Sequence, residues 1–202
     1  VDANWGTSTD VVYQFCRQSP HAAVLTPSHG RYVGAATNPF TDYRPKPGDR
    51  VGLHWRIPGS VRGGRRSVRH AVVDTNYWKS FVHARLAVGM GDAGCLSLFA
   101  GYDHRLLAEQ LTSEYRVKTT GRGRTVDEWK IRTPGADNHW LDCLVGCAVG
   151  ASMQGAILFG TGAKPVARKR IKLSEVQANR KVMRPDWDRV WRAGEPPPPP
   201  IG

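Results

Sequence analysis

The longest apolar stretch in the chain runs from Leu141 to Phe159, and Gly146, Gly150, Ser152, Gln154 and Gly155 interrupt it. Those breaks make it a poor bilayer span but a good buried helix, which needs other elements to cover it. The spacing predicts a helix from about Asn138 to Met153, capped by Asp137 or Asn138, with Leu141, Leu144, Val145, Ala148, Val149 and Ser152 turned inward. Such a helix presupposes a core, and 202 residues suffice for one domain of ordinary size.

The rest of the chain alternates strand-like and helix-like segments, which reads as α/β. Val1 to Trp5 resembles the end of a strand, and Thr9 to Arg17 a short amphipathic helix capped by Ser8, with Val11, Val12, Phe15 and Cys16 as its apolar face. Ala22 to Thr26 is a strand candidate, followed by a loop from Pro27 to Asp49. Arg50 to Ile57 and Ser67 to Thr75 are extended and joined through a Gly- and Arg-rich turn, which suggests a hairpin with a cationic tip. Asn76 to Ala87 has helical spacing with Thr75 as its cap. Cys95 to Phe99 is a possible strand, Asp103 to Tyr115 a helix, and Arg124 to Arg132 a strand. The expected division is a domain over residues 1–160 and a basic, Pro-rich, flexible tail over residues 161–202.

Lys and Arg number 29 against 17 Asp and Glu, a formal charge of +12, so a polyanion, nucleic acid first, is the partner to consider. A basic surface that only keeps the chain soluble explains the same count. The four cysteines form no CxxC pair; Cys143 and Cys147, on one helical face, read as small buried side chains. Gly160 to Lys164 has the wrong spacing for a phosphate loop, so no ATP hydrolysis is expected of this chain.

Hydrolysis of a phosphodiester with divalent cations needs carboxylates converging from separate elements, because hard cations prefer oxygen ligands. Asp2 at a strand end, Asp74 closing the run Ala71-Val72-Val73 before a helix, and Asp142 in the first turns of the late helix are candidates. Each also reads as a solvated acid or a helix cap, and Asp142 would be favoured by the helix dipole in any case.

The strings Val73-Asp74-Thr75-Asn76-Tyr77-Trp78-Lys79, Glu109 to Tyr115 leading to Thr125-Val126-Asp127-Glu128-Trp129, and above all Asn138-His139-Trp140-Leu141-Asp142-Cys143 resemble the nuclease domain of the lambda-type phage terminase large subunit. The opening Asp2-Ala3-Asn4 and Thr9 to Tyr13 belong to the same pattern, and the similarity extends from Val1 to about Gln154. The resemblance implies an RNase H-like fold, a mixed central sheet flanked by helices, and an endonuclease that cuts concatemeric double-stranded DNA during packaging. It implies catalysis by Asp2, Asp74 and Asp142 with Mg²⁺ or Mn²⁺, two ions being expected. His139, on the same helix as Asp142, would assist a ligand or a phosphate, or else cap or pack.

The resemblance also implies an ATPase motor domain before Val1, so the chain is expected to be a fragment lacking most of the first strand. The viral portal and the small terminase subunit are the implied partners of the whole protein, and the host cytoplasm its location. Arg56, Arg62, Arg65, Arg66 and Arg69 on the presumed hairpin would hold the duplex backbone without reading sequence, or would be an exposed charged loop. Arg168, Lys169 and Arg170 in the tail would touch DNA or a docking partner, or have no specific role. The alternatives are another RNase H-like nuclease, such as a junction resolvase, and a catalytically silent module that binds DNA or the portal.

Overall fold

In the computed structural model, residues 1–4, 6–59 and 69–161 are described, and all of them lie in one compact unit. The architecture is mixed α/β. Its main sheet has the order β1 (Ser28–Arg31), β4 (Ala71–Asp74), β3 (Trp55–Ile57), β2 (Arg50–Gly52). β1 runs parallel to β4, and the other two pairs are antiparallel. Asp2 adds a parallel bridge to Ser28, so the start of the chain lies along the outer side of β1. A second, two-stranded sheet is the hairpin β5 (Glu114–Gly121) and β6 (Arg124–Ile131).

The helices α2 (Thr75–Leu86), α3 (Arg105–Leu111) and α4 (His139–Met153) cover one face of the main sheet. Trp55, Ile57, Ala71 and Val73 supply the sheet side of the core, and Trp78, Val82, Leu111, Leu141, Val145 and Val149 the helix side. Alternation along β4 puts Ala71 and Val73 on this covered face, and the register carries it outward through Ser28 to Asp2. The inward stripe of α4 is the one its spacing predicts. Trp78 and Leu141 are fully buried. The indole nitrogen of Trp55 donates to Ser152 Oγ at 3.0 Å, which fixes the far end of α4 against the sheet.

Several expectations change. The segment 22–24 is turn, and the strand forms later, at β1. Thr9–Gln18 is a helix, α1, but Val11 and Phe15 are more than half exposed and only Cys16 is buried. No strand forms over 95–99. The helix expected to reach Tyr115 stops at Leu111, and β5 starts at Glu114. Arg50 to Ile57 is not one strand but a tight hairpin of its own, turning at Leu53 and His54. Cys143 and Cys147 are exposed free thiols rather than buried ones, because the core stripe of α4 passes through Leu141, Val145 and Val149. The hairpin tip and the tail, with Arg62, Arg65, Arg66, Arg168, Lys169 and Arg170, lie outside the described residues. Among the described residues no helix is long and apolar enough to cross a membrane.

Candidate active site

Asp74 ends β4 and caps α2. Its Oδ1 accepts from the backbone N–H of Tyr77 at 3.1 Å, so the cap is Asp74 rather than the expected Thr75. Its Oδ2 lies 3.0 Å from Nδ1 of His54. A carboxylate only accepts, so the His54 proton sits on Nδ1. His54 occupies the left-handed region, φ 50°, in the turn between β2 and β3. Its ring stacks on Tyr77 with centroids 3.6 Å apart and planes 5° from parallel. Asp74 N donates to His54 O at 3.0 Å and Trp78 Nε1 to the same oxygen at 3.2 Å. Asp74 is 4 % exposed, with both carboxylate oxygens engaged.

One turn further along α2 lies Lys79. A lysine between Trp78 and Val82 on a buried helix needs carboxylates to compensate its charge. Its Nζ is 2.5 Å from Glu114 Oε1, at the first residue of β5, and 3.3 Å from Asp142 Oδ1, in the first turn of α4. Asn138 Nδ2 donates to the same Glu114 oxygen at 2.6 Å. Gln110 Oε1 accepts from the backbone N–H of Trp140 at 2.9 Å, so α3 satisfies one of the free donors at the start of α4. The side chain of Glu114 is 6 % exposed and that of Asp142 46 % exposed.

The Asp142 carboxyl is pushed above the usual carboxylate range. Partial burial is the main cause; Lys79 opposes it, and the like charges of Glu114 and Asp2 add to it. The charge of Asp2 is thus felt at Asp142, although the two make no direct contact among the described hydrogen bonds and ion pairs. Asp2 Oδ1 accepts from Asn4 N at 3.0 Å, and the side chain is otherwise open to solvent.

On α1, the Tyr13 hydroxyl lies 2.7 Å from His29 Nε2, and the His29 and His70 rings meet edge to face. Burial and the neighbouring His70 lower the His29 pKa, while Asp2 pulls it up.

The predicted acids thus divide. Asp2 and Asp142 share a field on the helix side, whereas Asp74 is tied to His54 and the start of α2. Among the described residues no group of three or more His, Cys, Asp or Glu is placed to hold a metal ion. His139 is exposed, with Nε2 3.5 Å from Asp137 Oδ1. Arg56 lies over the rings of Tyr43, at 4.0 Å, and Phe40, at 5.5 Å, and its buried Nε finds no hydrogen-bond partner among the described residues. Arg69 donates to Gly48 O at 2.9 Å. Both arginines brace the loop before β2.

Residues 1–157 match the family described as terminase large subunit gpA, endonuclease domain. The chain belongs to that family. No curated protein and no solved structure matches it. The family places an endonuclease domain on this scaffold, and DNA as its substrate. His54, Lys79, Glu114 and Asn138 are the residues around the acids that sequence reasoning missed. For Lys79 a signal existed: it is the one cation flanked by Trp78 and Val82 on a helix whose apolar side was already recognised.

Proposed function

We propose that this terminase domain is a divalent-metal-dependent endonuclease that cuts concatemeric double-stranded DNA in phage packaging, with Asp142 and Asp2 as the protein ligands of Mg²⁺ or Mn²⁺. The observation that carries the reading is Asp142 itself. It is a half-exposed carboxylate in the first turn of α4, inside the most specific motif, with Lys79 3.3 Å from its Oδ1. A carboxylate that is 46 % exposed and bound to the protein through Lys79 keeps acceptor positions for a cation.

The donor set fits Mg²⁺ better than a metal with a closed cage. Mg²⁺ is commonly held by one or two carboxylates, with phosphate oxygens and water completing the shell, so a third protein acid is not required. When bound, the ion would polarise the scissile phosphate and lower the pKa of an attacking water. The chain's own contribution is positional. α4 and the edge beside β1 carry Asp142 and Asp2 to the same side of the sheet, and their two charges attract the ion. Asp74, with both oxygens engaged, acts by holding His54 and the first turn of α2. An RNase H-like arrangement is consistent with the mixed sheet and its helix-covered face. In the whole protein the portal and the small terminase subunit are the proposed partners, and the host cytoplasm the proposed location.

Supercoiled plasmid with Mn²⁺ or Mg²⁺ tests this directly. Nicking is expected from the native chain, with a fall of about 100-fold or more in Asp142→Asn. Nicking that survives in Asp142→Asn overturns the assignment of the ligand. A specific observation favours the silent binding module as second reading: Lys79 already neutralises one oxygen of Asp142. DNA retention that falls steeply with salt, with no cleavage by the native chain, would establish that reading instead.

A further inference from the structure

The pair Lys79 and Glu114 is the most deeply enclosed ion pair among the described residues, with side chains 10 % and 6 % exposed. Burying two charges costs several kcal/mol before their attraction repays it, so an apolar pair of the same volume would serve packing at least as well. The placement matters for a different reason. The ammonium does not end at Glu114 but reaches Asp142 Oδ1 at 3.3 Å, and that carboxylate otherwise projects half into solvent from the start of α4. Glu114 in turn is anchored by Asn138, the cap residue of the helix that carries Asp142. A closed circuit results. It runs from α2 through Lys79 to the first residue of β5, through Asn138 to the start of α4, and back through Asp142.

We propose that Lys79 is a positioning residue for the cleavage reaction: anchored on Glu114, its ammonium holds Asp142 Oδ1 and thereby presents Asp142 Oδ2 in one orientation toward the divalent cation. The inference rests on the reading of Asp142 as a metal ligand. A free aspartate at a solvated helix start samples several rotamers, and each unproductive one weakens the ligand set. Fixing one oxygen on a charged donor leaves the other in a defined direction, as outer partners of metal-binding carboxylates commonly do. The alternative role for a nearby cation is plain electrostatics. A bare positive charge repels the metal, so its removal tightens metal binding; loss of a positioning contact weakens it.

The charge-neutral double substitution Lys79→Met with Glu114→Gln separates these, because it removes the ion pair without stranding a buried charge. Three readouts apply: Mn²⁺ affinity by calorimetry, plasmid nicking resolved into kcat and KM, and the side-chain carboxyl ¹³C resonance of Asp142 in metal-free protein. Positioning predicts Mn²⁺ binding weakened about 10- to 100-fold, a comparable loss in kcat, KM for DNA unchanged, and a shifted Asp142 resonance. Lys79→Arg, which keeps the charge and can still span the two carboxylates, should recover part of the metal affinity, and it provides a second test if the double variant does not fold.

Unchanged or tighter Mn²⁺ binding in a folded double variant overturns the proposal, as does an Asp142 resonance that does not move. If Lys79→Arg behaves no better than the double variant, the contact with Asp142 is not what matters and the proposal fails. Failure of the parent reading looks different: the native chain itself then binds no Mn²⁺ and nicks no plasmid, and the positioning role falls with it.

Discussion

Asp74 and Asp142 both stand at the beginning of a helix, on chemically similar ground, and the fold treats them in opposite ways. Asp74 is buried and saturated: one oxygen caps α2, the other holds His54. Asp142 is half exposed, and among the described residues its carboxylate is paired with Lys79. A helix start favours any negative charge near it, so location alone does not separate the two. What separates them is how many of the carboxylate's acceptor positions the protein has filled. A filled carboxylate is a structural clamp, and a partly filled one retains lone pairs for a ligand from outside.

The largest effect expected from this difference is on stability. Asp74→Ala removes a helix cap and strands the His54 imidazole and the Tyr77 N–H in a half-buried setting. It should cost about 2 to 4 kcal/mol in denaturant unfolding. Asp142→Ala, measured in the same way, should cost little, because water replaces what is lost. If the two costs are equal, the contrast between clamp and ligand is wrong.

The next effect is on cleavage. Asp142→Asn keeps size and shape and should lower nicking by about 100-fold while the folded baseline by circular dichroism stays native. Asp74→Asn is the informative control. It keeps one acceptor for either the cap or His54, so a modest loss of stability with nicking preserved in the folded fraction would confirm a clamp. A complete loss of nicking from a fully folded Asp74→Asn protein would put Asp74 back in the reacting group.

Sequence reading found both acids but could not rank them, and the reasons are local. The partner that occupies Asp74 is His54, which comes from a two-residue turn between β2 and β3 and adopts positive φ. Histidine tolerates positive φ better than most residues, but Leu53-His54 is not one of the Asn-Gly or Asp-Gly pairs that mark a two-residue hairpin turn, and Gly52 alone does not fix where the run bends. The spacing of Leu106, Leu107 and Leu111 predicts a helix from Asp103 to Tyr115, which puts Glu114 at its end. In the structure that helix stops at Leu111, and Glu114 becomes the first residue of β5, pointing at Lys79. By contrast α4, α2 and β6 were legible, since each has a long stripe or a run whose period survives packing. The division of Asp2 from Asp74 depends on the register of β1 against β4 and on a parallel bridge to Ser28. Spacing along one strand does not reveal which strand it joins.

The smallest effects expected are on the pH dependence of stability, where a third carboxylate completes the contrast. Asp49 is saturated like Asp74 but lies at the surface. Its Oδ2 accepts from the Tyr43 hydroxyl at 2.6 Å and from Lys46 N at 2.8 Å, and its Oδ1 from Gly59 N at 2.6 Å. Those donors, Tyr43 first, push its pKa down from 3.8 to about 2. A depressed acid stabilises the fold above its unfolded pKa and loses that contribution as pH falls through the folded value, here between about 4 and 2.

Asp142 has the opposite sign. Its raised pKa means that the folded state holds the proton more tightly, so stability is lost as pH rises from 3.8 through the folded value. Thermal unfolding followed from pH 2 to pH 7 should therefore show Asp49→Asn less stable than the native chain at neutral pH, with the gap closing toward pH 2. Asp142→Asn should run the other way, equal to the native chain at pH 3 and slightly more stable at pH 7, by less than about 1 kcal/mol because solvent screens a half-exposed group. Curves that move in the same direction would mean that filling of the acceptor positions does not distinguish the two acids. Curves that diverge would show that Asp142 is held ionised at some cost to the fold, which a bound cation would repay.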